Sequence, residues 1–102
     1  MGAYVIFLRE STTNEQGLKT YTDLAIPTLQ NRPVIVRTFY GALDVLEGPQ
    51  FGGVVMLEFP TVQEAKAWYC SPEYQAAAIH RKASAIYRAF IVEGVPPSQS
   101  QD

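Results

Sequence analysis

An α+β fold in the order β-α-β-β-α-β is what the 102-residue sequence predicts. Three observations carry it. The runs "AYVIFLR", "PVIVRTFY", "VVMLEF" and "IYRAFIV" have the β-branched and aromatic composition of strands. Apolar residues recur at helical spacing after "STTNEQG" and after "TVQE". Clusters of Gly, Pro and polar residues separate these segments. The length suits one domain with one core, expected over residues 1–95, with the polar, proline-bearing tail 96–102 expected to be disordered.

The first strand is read over residues 3–9. Thr12 with Glu15, or Thr13 with Gln16, is placed to cap a first helix, along which Leu18, Tyr21 and Ala25 share a face. That helix is expected to reach about Leu29, with a kink or early stop at Pro27, which removes a helix hydrogen bond. "PVIVRTFYGALDVLEG" reads as a long second strand with a bend at Gly41, and Gly48 to Gly53 as its turn into a third, antiparallel strand. "TVQE" at Thr61 to Glu64 is a capping box opening a helix with Val62, Ala65, Trp68 and Tyr69 on its apolar stripe. Ser71 and Pro72 suit the N-cap and first position of a restarted helix to about Ala83. "IYRAFIVEG" is the fourth strand.

This order is the ferredoxin-like arrangement, a four-stranded antiparallel sheet with helices on one face. Right-handed crossovers place the first and third strands in the centre. A sheet covered on one side alternates apolar and polar residues, yet "YVIFL", "VVMLEF" and "AFIV" are apolar at both odd and even positions. A second copy of the sheet, packed face to face, is the economical cover, so a homodimer is expected.

A net charge of −2 with interspersed signs gives no field to gather nucleic acid or an acidic membrane surface. The early apolar run is far shorter than a bilayer span, so neither leader nor anchor is expected. One cysteine, Cys70, forms no internal disulfide, and no Cys/His spacing suits zinc. Neither metal nor organic cofactor is expected, and a reducing, cytoplasmic setting is. Cys70 reads as a buried, inert thiol. The glycines before the third strand lead into no helix and carry no Lys-Ser/Thr pair, which excludes a phosphate loop.

Together, "AYVIFLRE", "FYGALDVLEG", "VVMLEFP", "EAKAWYCSPEYQAA" and "YRAFIVEG" resemble the family called domain of unknown function 1330, within the dimeric α/β-barrel superfamily. The resemblance runs over roughly residues 3 to 95. It implies a ferredoxin-like fold, sheet-to-sheet dimers and a pocket between the sheet and its own helices. Superfamily relatives include cofactor-independent monooxygenases, muconolactone isomerase-like enzymes and small stress-related proteins. No reaction follows from it, because fold does not fix function.

Candidate site residues come from residue chemistry. His80, the only histidine, can shuttle protons, and Arg81 can hold a carboxylate or enolate; the alternative is a solvated histidine beside a snorkelling arginine. Tyr74, Ala77, Ala78 and Arg81 share a helix face, which puts the guanidinium beside apolar surface. Glu58, on the third strand in step with Val54 and Met56, is either an acid or base or a structural partner of Arg37 or Arg88. Tyr21, Trp68, Tyr74 and Tyr40 are placed to frame a cleft or to be plain core. Three functions fit. One is a cofactor-independent enzyme on a small, partly apolar acid or enol, with Arg81 on the anion and His80 or Glu58 moving a proton. Another is a non-catalytic binding or sensing dimer; the third is a structural dimer with a filled cleft.

Overall fold

Strand β1 (Ala3–Thr12) alternates buried Ala3, Val5 and Phe7 with half-buried Tyr4, Ile6 and Leu8, so one face meets the helices and the other lies open. In the computed structural model, which describes residues 2–95, the chain continues as α1 (Glu15–Ala25), a 3-10 turn (Ile26–Leu29), β2 (Ile35–Phe39), β3 (Gly53–Phe59), α2 (Val62–Tyr69), α3 (Pro72–Ser84) and β4 (Ala85–Glu93). The sheet is antiparallel with strand order β2-β3-β1-β4, so β1 and β3 are central, and the fold is ferredoxin-like. The tail expected at 96–102 lies outside the described residues. Among the described residues, no helix is long and apolar enough to cross a membrane.

Local chemistry sets the helix ends. Thr61 and Ser71 accept hydrogen bonds from the backbone N–H of Glu64 and Tyr74, and caps of this kind contribute about 1 kcal/mol each. α1 gives way to the 3-10 turn one residue before Ile26-Pro27, where the ring nitrogen donates no hydrogen bond. Its cap differs from the expected threonines. β1 runs on to Thr12, and the Thr13 hydroxyl donates to the Ser84 carbonyl, so Asn14 caps the helix through Gly17 N–H. α1 then lies so close to the end of α3 that a Cβ on Gly17 would sit 2.0 Å from Ser84 Oγ.

The second strand is shorter than its composition suggests. It ends at Phe39 because Tyr40 turns into the left-handed region at φ 55° and its N–H closes the ladder on Val54 O at 2.9 Å. β3 starts only at Gly53, so "GALDVLEG" has no strand to pair with and forms a loop. Cys70 is also a correction. It occupies the C-cap of α2, where the chain breaks away before Ser71, and it is exposed.

The core is largely aromatic. Trp68 is 2% exposed, with Tyr74 at 4.3 Å between ring centroids, Phe59 stacked at 5.8 Å and Phe7 edge-on at 6.2 Å. Its indole N–H donates to Thr28 Oγ1 at 2.9 Å, which ties α2 to the 3-10 turn. On the other side of the sheet, Tyr4, Ile6, Leu8, Val54 and Met56 form an apolar surface that β4 extends with Phe90 and Val92, 45% and 46% exposed.

Candidate functional site: a cleft between helix and sheet

Strand parity and helix phase converge on one hollow. Phe7, Val55, Leu57 and Val36 point from the sheet toward α1, while Tyr21 and Ala25 point back from α1 and Leu29 from the 3-10 turn. They enclose a cavity of about 190 Å³. Trp68 and Tyr40 complete its walls. A cavity of roughly 150 Å³ accepts benzene, so this one has room for a small ring compound.

The lining is almost wholly apolar, and its residues with side-chain oxygens are Tyr21, Tyr40 and Thr22. The Tyr21 hydroxyl is hydrogen-bonded to that of Tyr74 at 2.8 Å, and the Tyr40 hydroxyl to that of Tyr87 at 2.5 Å. Burial pushes the Tyr21 phenol well above its ordinary pKa, reinforced by the neighbouring Tyr74 oxygen. Tyr40 is raised too, by burial first and then by its bond to Tyr87. Burial likewise raises Tyr74. All three stay protonated near neutral pH, so they serve as hydrogen-bonding groups and not as bases.

Of the residues singled out in the sequence, Tyr21, Tyr40 and Trp68 line the cavity. Tyr74 stands behind Tyr21 as its hydroxyl partner. Arg81 is buried at 5% exposure and also lies behind the wall, with its guanidinium carbon 5.1 Å from the Tyr87 ring centroid, 5.3 Å from Phe7 and 5.9 Å from Tyr21. Its Nε has no hydrogen-bond partner among the described residues. Burial works to lower the Arg81 pKa, but the Tyr74 and Tyr21 oxygens outweigh it and leave it above the ordinary value. Among the described residues the arginine is held by π-faces and not by a carboxylate.

His80 and Glu58 are not brought together in the cleft. His80 is half-buried on α3 and lines no part of the cavity. Glu58 follows the parity of Met56 onto the open face, where it accepts a hydrogen bond from Arg37 Nε at 2.6 Å. A bulge between Val36 and Thr38 takes Arg37 out of register beside it. Among the described residues, no three His, Cys, Asp or Glu side chains cluster to hold a metal ion.

Sequence reasoning passed over Phe39, Val36 and Arg9. The first two lie on β2 with their side chains toward the cavity. Arg9 follows Ala3, Val5 and Phe7 on the inward parity of β1, and that alternation was the signal that marks it.

The fold and the cleft define a ferredoxin-like domain with a lateral apolar pocket. The chain belongs to the family described as Domain of unknown function (DUF1330), whose model matches residues 2–95. None of the curated proteins matches it. Among solved structures it is similar to a protein of unknown function from Rhodopseudomonas palustris, at 18% identity and a TM-score of 0.75 over 94% of this chain and 84% of that one. A dimeric ferredoxin-like protein of unknown function from Thermobifida fusca gives 15% identity and a TM-score of 0.66 over 92% of each chain. SnoaB, a cofactor-independent oxygenase from Streptomyces nogalater, gives 5% identity and a TM-score of 0.61 over 93% of this chain and 94% of that one. At these identities the likeness is one of fold.

Proposed function

We propose that the chain is a homodimeric small-molecule-binding protein, in which each protomer's cleft takes one small, flat, mostly apolar compound. The observation that carries this reading is the open cavity of about 190 Å³ whose aromatic walls keep two hydroxyl pairs at their edge. A purely structural dimer would fill that space, since protein interiors pack to crystal-like density. The homodimer is supported by the open apolar sheet face and by dimeric relatives of the same fold. An exposed, free Cys70 suits a reducing, cytoplasmic compartment.

The reading as a cofactor-independent enzyme on a small, partly apolar acid or enol is favoured by Tyr40. A non-glycine residue at φ 55° in a cleft wall is a local cost of about 1 kcal/mol or more, and such costs concentrate at functional sites. Its protonated hydroxyl, oriented by Tyr87, would hold a substrate oxygen, in the manner of a positioning donor. The cofactor-independent oxygenase activity of SnoaB gives this reading a precedent on the same fold.

The test uses Trp68, which is both the only tryptophan and part of the cavity wall. Titration with phenylpropanol is expected to shift indole emission and saturate at one molecule per chain. Emission that does not change at saturating probe contradicts the proposal. Loss of an enolic probe on incubation, followed by chromatography, separates turnover from plain binding.

A further inference from the structure

Beyond the apolar cavity, on the side of α1 nearer its start, lies a second hollow of about 380 Å³ that shares Thr22, Phe39 and Tyr40 with it. Its other walls include Arg9, Lys19 and Glu15. The Arg9 guanidinium lies over the Tyr40 ring at 4.7 Å, and Nη2 donates to Gly52 O at 2.9 Å. Nε is buried and has no partner among the described residues. Among the described residues no carboxylate pairs with Arg9: the ion pairs there join Lys19 to Asp23 and Arg37 to Glu58.

The backbone around this cation is fitted to it. A Cβ on Gly52 would lie 2.9 Å from Arg9 Nε, and one on Gly53 would lie 2.6 Å from Tyr40 Cδ1. Side chains at either position would push the guanidinium or the ring aside. The consecutive glycines therefore allow the stack, and the stack holds a planar donor group at the rim of an apolar pocket.

We infer that Arg9 forms a carboxylate subsite at the mouth of the cleft, which makes the ligand an acid with a one-ring or two-ring apolar body. The inference rests on the reading that the cleft binds a ligand, and names its class. The ring enters between Tyr21, Trp68 and Leu57, and the acid remains beside Arg9, whose guanidinium N–H groups not engaged by Gly52 O can bond it. Lys19 adds positive charge, although it is already paired with Asp23. Glu15 is the opposing charge; it is exposed, so water and salt screen it.

The experiment is calorimetry of the full chain with phenylbutyrate and with its neutral isostere, phenylbutanamide. Wild type is expected to bind the acid about tenfold more tightly, the effect of one hydrogen-bonded charge pair at a partly exposed site. Arg9→Met should remove that preference by weakening the acid more than the amide, and Arg9→Lys should restore part of it. Glu15→Gln should keep or strengthen the preference. Thermal melts of each variant check that folding is intact; should Arg9→Met not fold, wild type against Arg9→Lys decides. Equal affinity of wild type for acid and amide, or a preference that survives Arg9→Met, overturns the subsite while the cleft stands. Binding of neither compound overturns the cleft reading and the subsite with it.

Discussion

Trp68→Ala is expected to lower the free energy of unfolding by about 3–5 kcal/mol, the cost of deleting a buried tryptophan side chain. The residue is 2% exposed, stacks on Phe59, touches Tyr74 and Phe7, and anchors the 3-10 turn through Thr28. Collapse into the space left is limited, because the existing cavity already lies on one side of the ring. In a domain of this size the loss removes a large share of a stability of about 5–15 kcal/mol. Urea unfolding of both proteins measures it, and a loss below about 1 kcal/mol contradicts the packing described. Trp68→Phe should cost less, since it keeps most of the ring contacts and gives up the bond to Thr28.

Ile6→Arg is expected to convert the proposed dimer to monomers without unfolding them. Ile6 pairs with Met56 on one side and Phe90 on the other, at the middle of the open face. A dimer built on that face would bury at least about 1,200 Å², the range of stable complexes. Two-fold symmetry brings both copies of a central residue close together, so one substitution buries two unpaired like charges. An unpaired charge costs about 3–5 kcal/mol, which weakens the dimer by more than about a hundredfold. Sedimentation measures the mass, and circular dichroism checks the fold. A wild type that sediments as a folded monomer, or a variant that remains a dimer, counts against the sheet-to-sheet assembly.

Much of the fold was legible because its signals are local. β-branched runs marked the strands, and Thr61 and Ser71 marked helix starts where the structure has them. The differences have non-local causes. "GALDVLEG" has enough apolar residues to pass for strand, but nothing in its residue types reveals that Tyr40 adopts φ 55° or that no strand lies alongside. Asn14 took the cap from the threonines because β1 extends across Thr12 to pair with Ala85. Both effects depend on a partner distant in sequence.

The cleft was legible in part. Helical spacing placed Tyr21 and Trp68 on inward faces, and the spacing of Tyr74, Ala77, Ala78 and Arg81 matches the buried face of α3. That spacing does not reveal what a buried arginine meets: Arg81 lies against three rings and lines no part of the cavity. Glu58 shows the converse. Its parity with Met56 assigned a face, and the open face is the one without the cleft. Arg9 was readable from parity alone, but that it makes no ion pair among the described residues emerges only once β3, the Gly52-Gly53 step and Tyr40 are folded around it.

On the reading proposed above, the space between α1 and the sheet is a binding site. Amide and indole shifts in a two-dimensional NMR titration with phenylpropanol test it most directly, because the cleft and the open sheet face are both apolar but share no residues. Saturable shifts are expected at Tyr21, Ala25, Tyr40 and the Trp68 indole N–H, with Ile6 and Phe90 still. Shifts confined to Ile6, Met56, Phe90 and Val92, or no saturable shift at all, would contradict it.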